Sequence, residues 1–199
     1  MTASKITSRL GLNCMPFDHF DFIAGLYNRV SQFSAPVELL DLLALSPNQL
    51  FLDAGGGTGR VTEELRMMVR DGIIADPSLG MLRHAMDKGL ATVCAPAEEL
   101  PFASLSFDRI IMVDALHHVL DQMETIVELW RVLAPGGRIV IVEPDIHKFS
   151  VKLVALGEKL LMMRSHFISA ENIAALFVNF NSTVRIKMNG SNVWVYAEK

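Results

Sequence analysis

Phe51-Leu52-Asp53-Ala54-Gly55-Gly56-Gly57-Thr58-Gly59-Arg60 decides how the rest of the chain is read. An apolar run reaches an acid, passes four glycines and enters a segment with helical spacing. That is the pattern of a strand, a glycine turn and a helix. Glycines at such a turn admit positive φ and let a ligand come where a Cβ would clash. The helix that follows offers free N–H groups at the same point. A small polar ligand is therefore expected at the carboxyl end of this strand.

Three ligands compete for such a turn. A P-loop needs Lys-Ser/Thr after the glycines, and Arg60-Val61-Thr62 does not supply it. A dinucleotide turn needs a third small residue three positions after Gly57, where Arg60 stands. What remains is Gly55-x-Gly57-x-Gly59 with Asp53 ahead of it. An acid there suits a cationic ligand group and is awkward beside a pyrophosphate.

Working outward, apolar runs alternate with helical segments. Leu50–Ala54 is the first expected strand, followed by a helix over Arg60–Val69, a strand over Gly72–Asp76 and a helix over Ser78–Lys88. Ala91–Ala95 and Phe107–Asp114 are the third and fourth strands. Asp121 and Glu124 suggest a capping box for a helix running to Leu133, which Pro135-Gly136-Gly137 stops. Arg138–Glu143 is the fifth strand. Short strands that are apolar on both faces and separated by helices indicate a parallel sheet covered on both sides. Ile146–Met163 reads as helix, and Ser169 caps another over Ala170–Phe177. Thr183–Met188 and Ser191–Tyr196 flank Asn189-Gly190, the strongest short-range hairpin signal. Before the first strand, Phe17–Phe33 has apolar residues at helical spacing, and Pro36 opens a further helix.

Composition bounds the function. The chain has 199 residues, of which 51% are hydrophobic, enough for one α/β domain with a full core. Its net charge of -4 and the lack of any Lys/Arg block argue against nucleic acid as a partner. No apolar run reaches the ~18 residues of a membrane span. Met1–Leu10 has no continuous apolar core and does not read as a signal peptide, so a cytoplasmic protein is expected. Cys14 and Cys94 support neither a disulfide scaffold nor a metal site, and Cys94 reads as a buried thiol.

Leu52-Asp53-Ala54-Gly55-Gly56-Gly57-Thr58-Gly59 resembles the first motif of class I S-adenosylmethionine-dependent methyltransferases. Further resemblances follow in order. They are Ala75-Asp76-Pro77-Ser78-Leu79-Gly80-Met81-Leu82, Ala97-Glu98-Glu99-Leu100-Pro101-Phe102, Phe107-Asp108 to Val119, and Trp130-Arg131-Val132-Leu133-Ala134-Pro135-Gly136-Gly137-Arg138. The segment Phe20–Tyr27 resembles the leading helix of quinone-biosynthesis C-methyltransferases and their relatives. The match covers roughly Gln49 to Pro144, and the terminal hairpin agrees with it.

The resemblance implies a Rossmann-like α/β fold with a seven-stranded, mostly parallel sheet, a C-terminal antiparallel hairpin and helices on both faces. It implies one domain over 1–199: a helical cap at 1–48, a cofactor-binding core at 49–145, and C-terminal helices with the hairpin at 146–199. S-adenosylmethionine is the implied cofactor. Asp53, Gly55 and Gly57 would line its methionine part, and Asp76 would accept from the ribose hydroxyls, since a carboxylate only accepts. Pro77, Ala97 and Glu98 would lie by the adenine, and Asp114 and Ala115 would flank the methyl end. Tyr27 would touch the cofactor, unless its helix only packs on the core. One departure is Pro96, where the family often carries an Asp that holds the adenine amino group.

Methyl transfer from a sulfonium is an in-line displacement, so the protein mainly supplies position and a dry site. His118, on the loop after the fourth strand, is the candidate base or acceptor contact; otherwise it and His117 are solvated loop or satisfied packing residues, and Glu143 and Asp145 read as polar strand ends. Strand four ends in Val113-Asp114-Ala115-Leu116, unlike amino-group methyltransferases acting on nucleobases. The apolar lid candidates, Met15–Phe33 and Lys148–Phe167, suit a small, moderately apolar acceptor. The alternative is a cofactor-binding protein without catalysis, to which Pro96 lends weight. The sequence leaves the oligomeric state open.

Overall fold

The computed structural model describes residues 35–148, residue 151 and residues 165–199. The expected helices over Phe17–Phe33, with Tyr27, lie outside these residues, as do most of the 1–48 cap and most of the expected helix over Ile146–Met163. Residues 146–148 are described and form a turn.

Among the described residues the first helix is α1 (Val37–Leu43), closed by Ala44 in the left-handed region at φ 45°. The alternating core follows: β1 (Leu50–Ala54), α2 (Arg60–Leu65) continued by a 3-10 turn over Arg66–Met68, β2 (Asp71–Asp76), α3 (Leu79–Asp87) and β3 (Ala91–Cys94). Then come β4 (Phe107–Val113), α4 (Gln122–Val132), β5 (Leu133–Pro144), α5 (Ala170–Ala175), β6 (Thr183–Asn189) and β7 (Asn192–Glu198). Helix starts fall where cap chemistry puts them. The side chains of Ser78, Asp121 and Ser169 each accept the N–H three residues on, from Met81, Glu124 and Asn172.

All seven strands form one sheet in the order β3-β2-β1-β4-β5-β7-β6. The first five are parallel neighbours, and β7 runs antiparallel to both β5 and β6. The expected seven-stranded sheet with a terminal hairpin is therefore the observed one. β5 is longer than Arg138–Glu143, because Leu133 already pairs with Phe107 across an irregularity in register.

Side chains alternate between two cores, as a pleated strand requires. Leu50, Leu52 and Ala54 of β1 join Ile73, Ile110, Ile139 and Phe177 on one face. Phe51 joins Leu39, Val61, Leu65, Val140 and Trp194 on the other. Each buried Val, Leu, Ile or Phe among them contributes about 1.5–3 kcal/mol. A smaller cluster of Ile74, Leu82, Ala85, Leu90 and Cys94 closes the β3 side. Cys94 is buried, as read.

Candidate functional site

The order of strands reverses between β1 and β4: from β1 the chain moves to β2 on one side, while β4 and β5 lie on the other. A crevice opens at the carboxyl ends of two strands where such a reversal occurs. Here those ends carry the glycine turn after β1 and the loop 114–118 after β4. The two touch at Gly55 (φ 69°), where a Cβ would stand 2.6 Å from that of Ala115. Gly59 (φ 76°) is required for another reason. A Cβ there would meet Leu90 Cδ1 at 2.5 Å and Ile74 Cδ1 at 2.9 Å, so its smallness lets α2 start against the third core cluster.

Asp53 falls on the Phe51 face of β1 and has no exposed surface. Its carboxylate lies directly against Gly56, where a Cβ would stand 2.6–2.9 Å from its atoms. Thr62 of α2 donates its hydroxyl to Oδ2 at 2.8 Å. Oδ1 is buried with no hydrogen-bond partner among the described residues. Burial pushes the carboxyl up to about 6, with the Thr62 hydroxyl and the Arg60 charge opposing. An acid held in this way has acceptor capacity to spare and is stabilised by any cation brought near.

Asp76 ends β2 and is 8% exposed. Its Oδ2 accepts the N–H of Gly57 at 2.9 Å and its Oδ1 that of Ser78 at 2.8 Å. The carboxylate thus ties the glycine turn to the start of α3. A Cβ on Gly57 would lie 3.9 Å from Asp76 Oδ2, so the glycine keeps this approach open.

The loop after β4 carries the densest polar contacts. Asp114 takes φ 52°, uncommon for a residue with a Cβ. Its Oδ2 accepts Arg60 Nη2 at 2.7 Å, which joins this loop to the first turn of α2. Glu143, at the end of β5 and 3% exposed, accepts the N–H groups of Ala115 at 3.1 Å and Leu116 at 2.8 Å on Oε1. Its Oε2 is 2.5 Å from Nδ1 of the buried His117. The His117 ring stacks on Phe167 at 4.1 Å and lies 4.0 Å from the ring of the half-buried His118. His118 thus stands beside a structured pair. In sequence alone Glu143 reads as a polar strand end and His117 as a loop or packing residue. The available signal was the acid closing Ile139-Val140-Ile141-Val142-Glu143 beside the strand that leads to His117.

The remaining expected residues are farther from this cluster of contacts. Pro77 is half-buried between β2 and α3, and Ala97 is buried in the first core. The Oε1 of Glu98 accepts the N–H groups of Leu120 at 2.7 Å and Asp121 at 3.3 Å, tying the segment after β3 to the start of α4. Pro96 and Glu98 border a groove of about 530 Å³ whose apolar part includes Leu120, Met123 and Val127. Tyr27 lies outside the described residues. Among the described residues no helix is long and apolar enough to cross a membrane, and no group of His, Cys, Asp and Glu forms a metal site.

Comparison with known proteins agrees with this architecture. Residues 52–141 match the family described as "Methyltransferase domain". A demethylmenaquinone methyltransferase of Corynebacterium urealyticum is 38% identical over 101 residues, covering 51% of this chain and 44% of the relative. A ubiquinone/menaquinone biosynthesis C-methyltransferase of Vibrio campbellii is 36% identical over 115 residues, covering 52% and 44%. The matched part therefore spans less than half the length of these curated relatives. Among solved structures, an S-adenosylmethionine-dependent methyltransferase of Thermotoga maritima superposes with a TM-score of 0.72 at 21% identity, covering 90% of this chain and 97% of that one. One from Aquifex aeolicus gives 0.66 at 18% identity, covering 99% and 98%. At these identities the structural likeness speaks for the fold alone. The matched segment identifies residues 52–141 as a methyltransferase domain, and the chain shares the fold of the solved methyltransferases on which it superposes.

Proposed function

We propose that the chain transfers a methyl group from S-adenosylmethionine to a small, moderately apolar acceptor. The observation that carries this reading is the pair of acids on neighbouring strand ends under one glycine turn. Asp53, with an unmatched buried oxygen, supplies negative charge beneath the turn for the ammonium and sulfonium end. Asp76 faces the ribose hydroxyls with its carboxylate while holding Gly57 in place. Gly55 and Gly57 keep the turn bare of side chains, and Pro77, Ala97 and Glu98 form the adenine side. The loop from Asp114 stands at the methyl end, with His118 as the candidate contact to the acceptor.

When bound, the cofactor supplies an electrophilic methyl carbon; the residues of this chain orient it and exclude water. The names of the matched relatives support an aromatic, quinone-like acceptor, although those proteins match only in part. Calorimetry with S-adenosylhomocysteine tests the reading. Saturable binding that is strongly weakened by Asp76→Ala is expected, and no heat from a folded protein would refute it.

A further inference from the structure

We infer that Glu143 is the positioning residue of this site: its one buried carboxylate holds the loop 114–118 against the glycine turn and fixes the ring of His117 that supports His118. The inference rests on the methyltransferase reading for the loop's purpose, and on geometry alone for the contacts.

Three donors converge on this carboxylate: the N–H groups of Ala115 and Leu116 and the Nδ1 of His117. Glu143 and His117 are 3% and 4% exposed, so water does not replace these bonds. An ionised carboxylate only accepts, and its Oε1 already receives two backbone donors. The proton between the side chains therefore resides on Nδ1. A neutral ring in that tautomer carries its lone pair on Nε2.

The loop so held reaches two partners. Ala115 meets Gly55 of the turn so closely that a Cβ on Gly55 would not fit. The His117 ring is packed between Phe167 and His118. Arg60 bonded to Asp114 fastens the same loop from the other side. Glu143 itself sits one residue beyond Val142, whose carbonyl accepts the N–H of Asp114 at 2.9 Å. A shift of Glu143 is thus transmitted to the face of the glycine turn and to His118, with no need for Glu143 to touch a ligand.

Two substitutions separate positioning from mere support. In Glu143→Gln the amide oxygen can still accept both backbone N–H groups, but the amide nitrogen must donate to the ring. Histidine nitrogen NMR should show Nδ1 protonated in the natural protein and a switch to the Nε2–H form in the glutamine variant. S-adenosylhomocysteine affinity in that variant should stay within about three-fold. Glu143→Ala leaves three buried donors without an acceptor, and its affinity should fall about ten-fold or more, the equivalent of one lost buried bond. An unprotonated Nδ1 in the natural protein, or an unchanged tautomer in the glutamine variant, would overturn the inference. So would a folded alanine variant that binds as tightly as the natural protein. If the alanine variant does not fold, the glutamine variant decides. Failure of the natural protein to bind S-adenosylhomocysteine would refute the methyltransferase reading instead, and the NMR result would stand apart from it.

Discussion

Replacing Asp53 with asparagine should make the protein more stable at neutral pH while weakening its hold on the cofactor. The carboxyl is fully buried, and burial pushes it up to about 6 from an ordinary value of 3.8. Between those two pH values the folded state holds a proton that the unfolded chain has released. Stability therefore falls as pH rises through this window and levels off above about 6. At about 1.36 kcal/mol per pH unit the loss is about 3 kcal/mol. Asparagine keeps the shape and can still accept from Thr62, but has no charge to bury. Urea unfolding of both proteins at about pH 4 and about pH 8 measures the difference. The variant should gain about 2.5 kcal/mol relative to the natural protein on going from the lower pH to the higher. A gap that stays constant to within about 0.5 kcal/mol would refute the burial argument. The same protonation predicts that S-adenosylhomocysteine binds the natural protein more tightly as pH rises through about 6, and that this dependence disappears in the variant.

Asp76→Ala removes the acceptor of both Gly57 and Ser78, and should lower S-adenosylhomocysteine affinity at least ten-fold and stability by about 1–3 kcal/mol; calorimetry and thermal melting read the two effects. Gly59→Ala combines a left-handed backbone with a Cβ 2.5 Å from Leu90, and should destabilise by about 2–4 kcal/mol in urea titration. Phe177→Ala opens the first core beside Trp130 and Phe180 and should lose about 3–5 kcal/mol by the same measurement.

The sheet was legible because its signals are local. β1 occupies the expected Leu50–Ala54, Asp121 and Ser169 cap the helices they were expected to cap, and Ser78, expected as a first helical residue, is a cap as well. Asn189-Gly190 marked the hairpin, for which Gly190 takes φ 60°. Boundaries were less legible where tertiary contacts set them. α2 gives way to a 3-10 turn at Arg66, short of the expected Val69, and β5 begins at Leu133, ahead of the glycines thought to precede it. At the site, the acids before and after the glycine turn could be read from type and spacing. The bond between His117 and Glu143 could not, because 26 residues separate them and only the pairing of β4 with β5 brings them together. Asp53's unmatched oxygen was equally invisible, since satisfaction of a buried atom depends on every neighbour.

Four of the five parallel strands deliver a carboxylate at or just beyond their carboxyl ends: Asp53, Asp76, Asp114 and Glu143. This negative rim distinguishes between the two forms of the proposed cofactor. The sulfonium carries a positive charge that the product thioether lacks, so methyl transfer discharges the ligand inside a field that had favoured the charge. The rim holds the donor more firmly than the spent form. Exchange of product for fresh donor is thereby favoured by electrostatics alone, without a moving part.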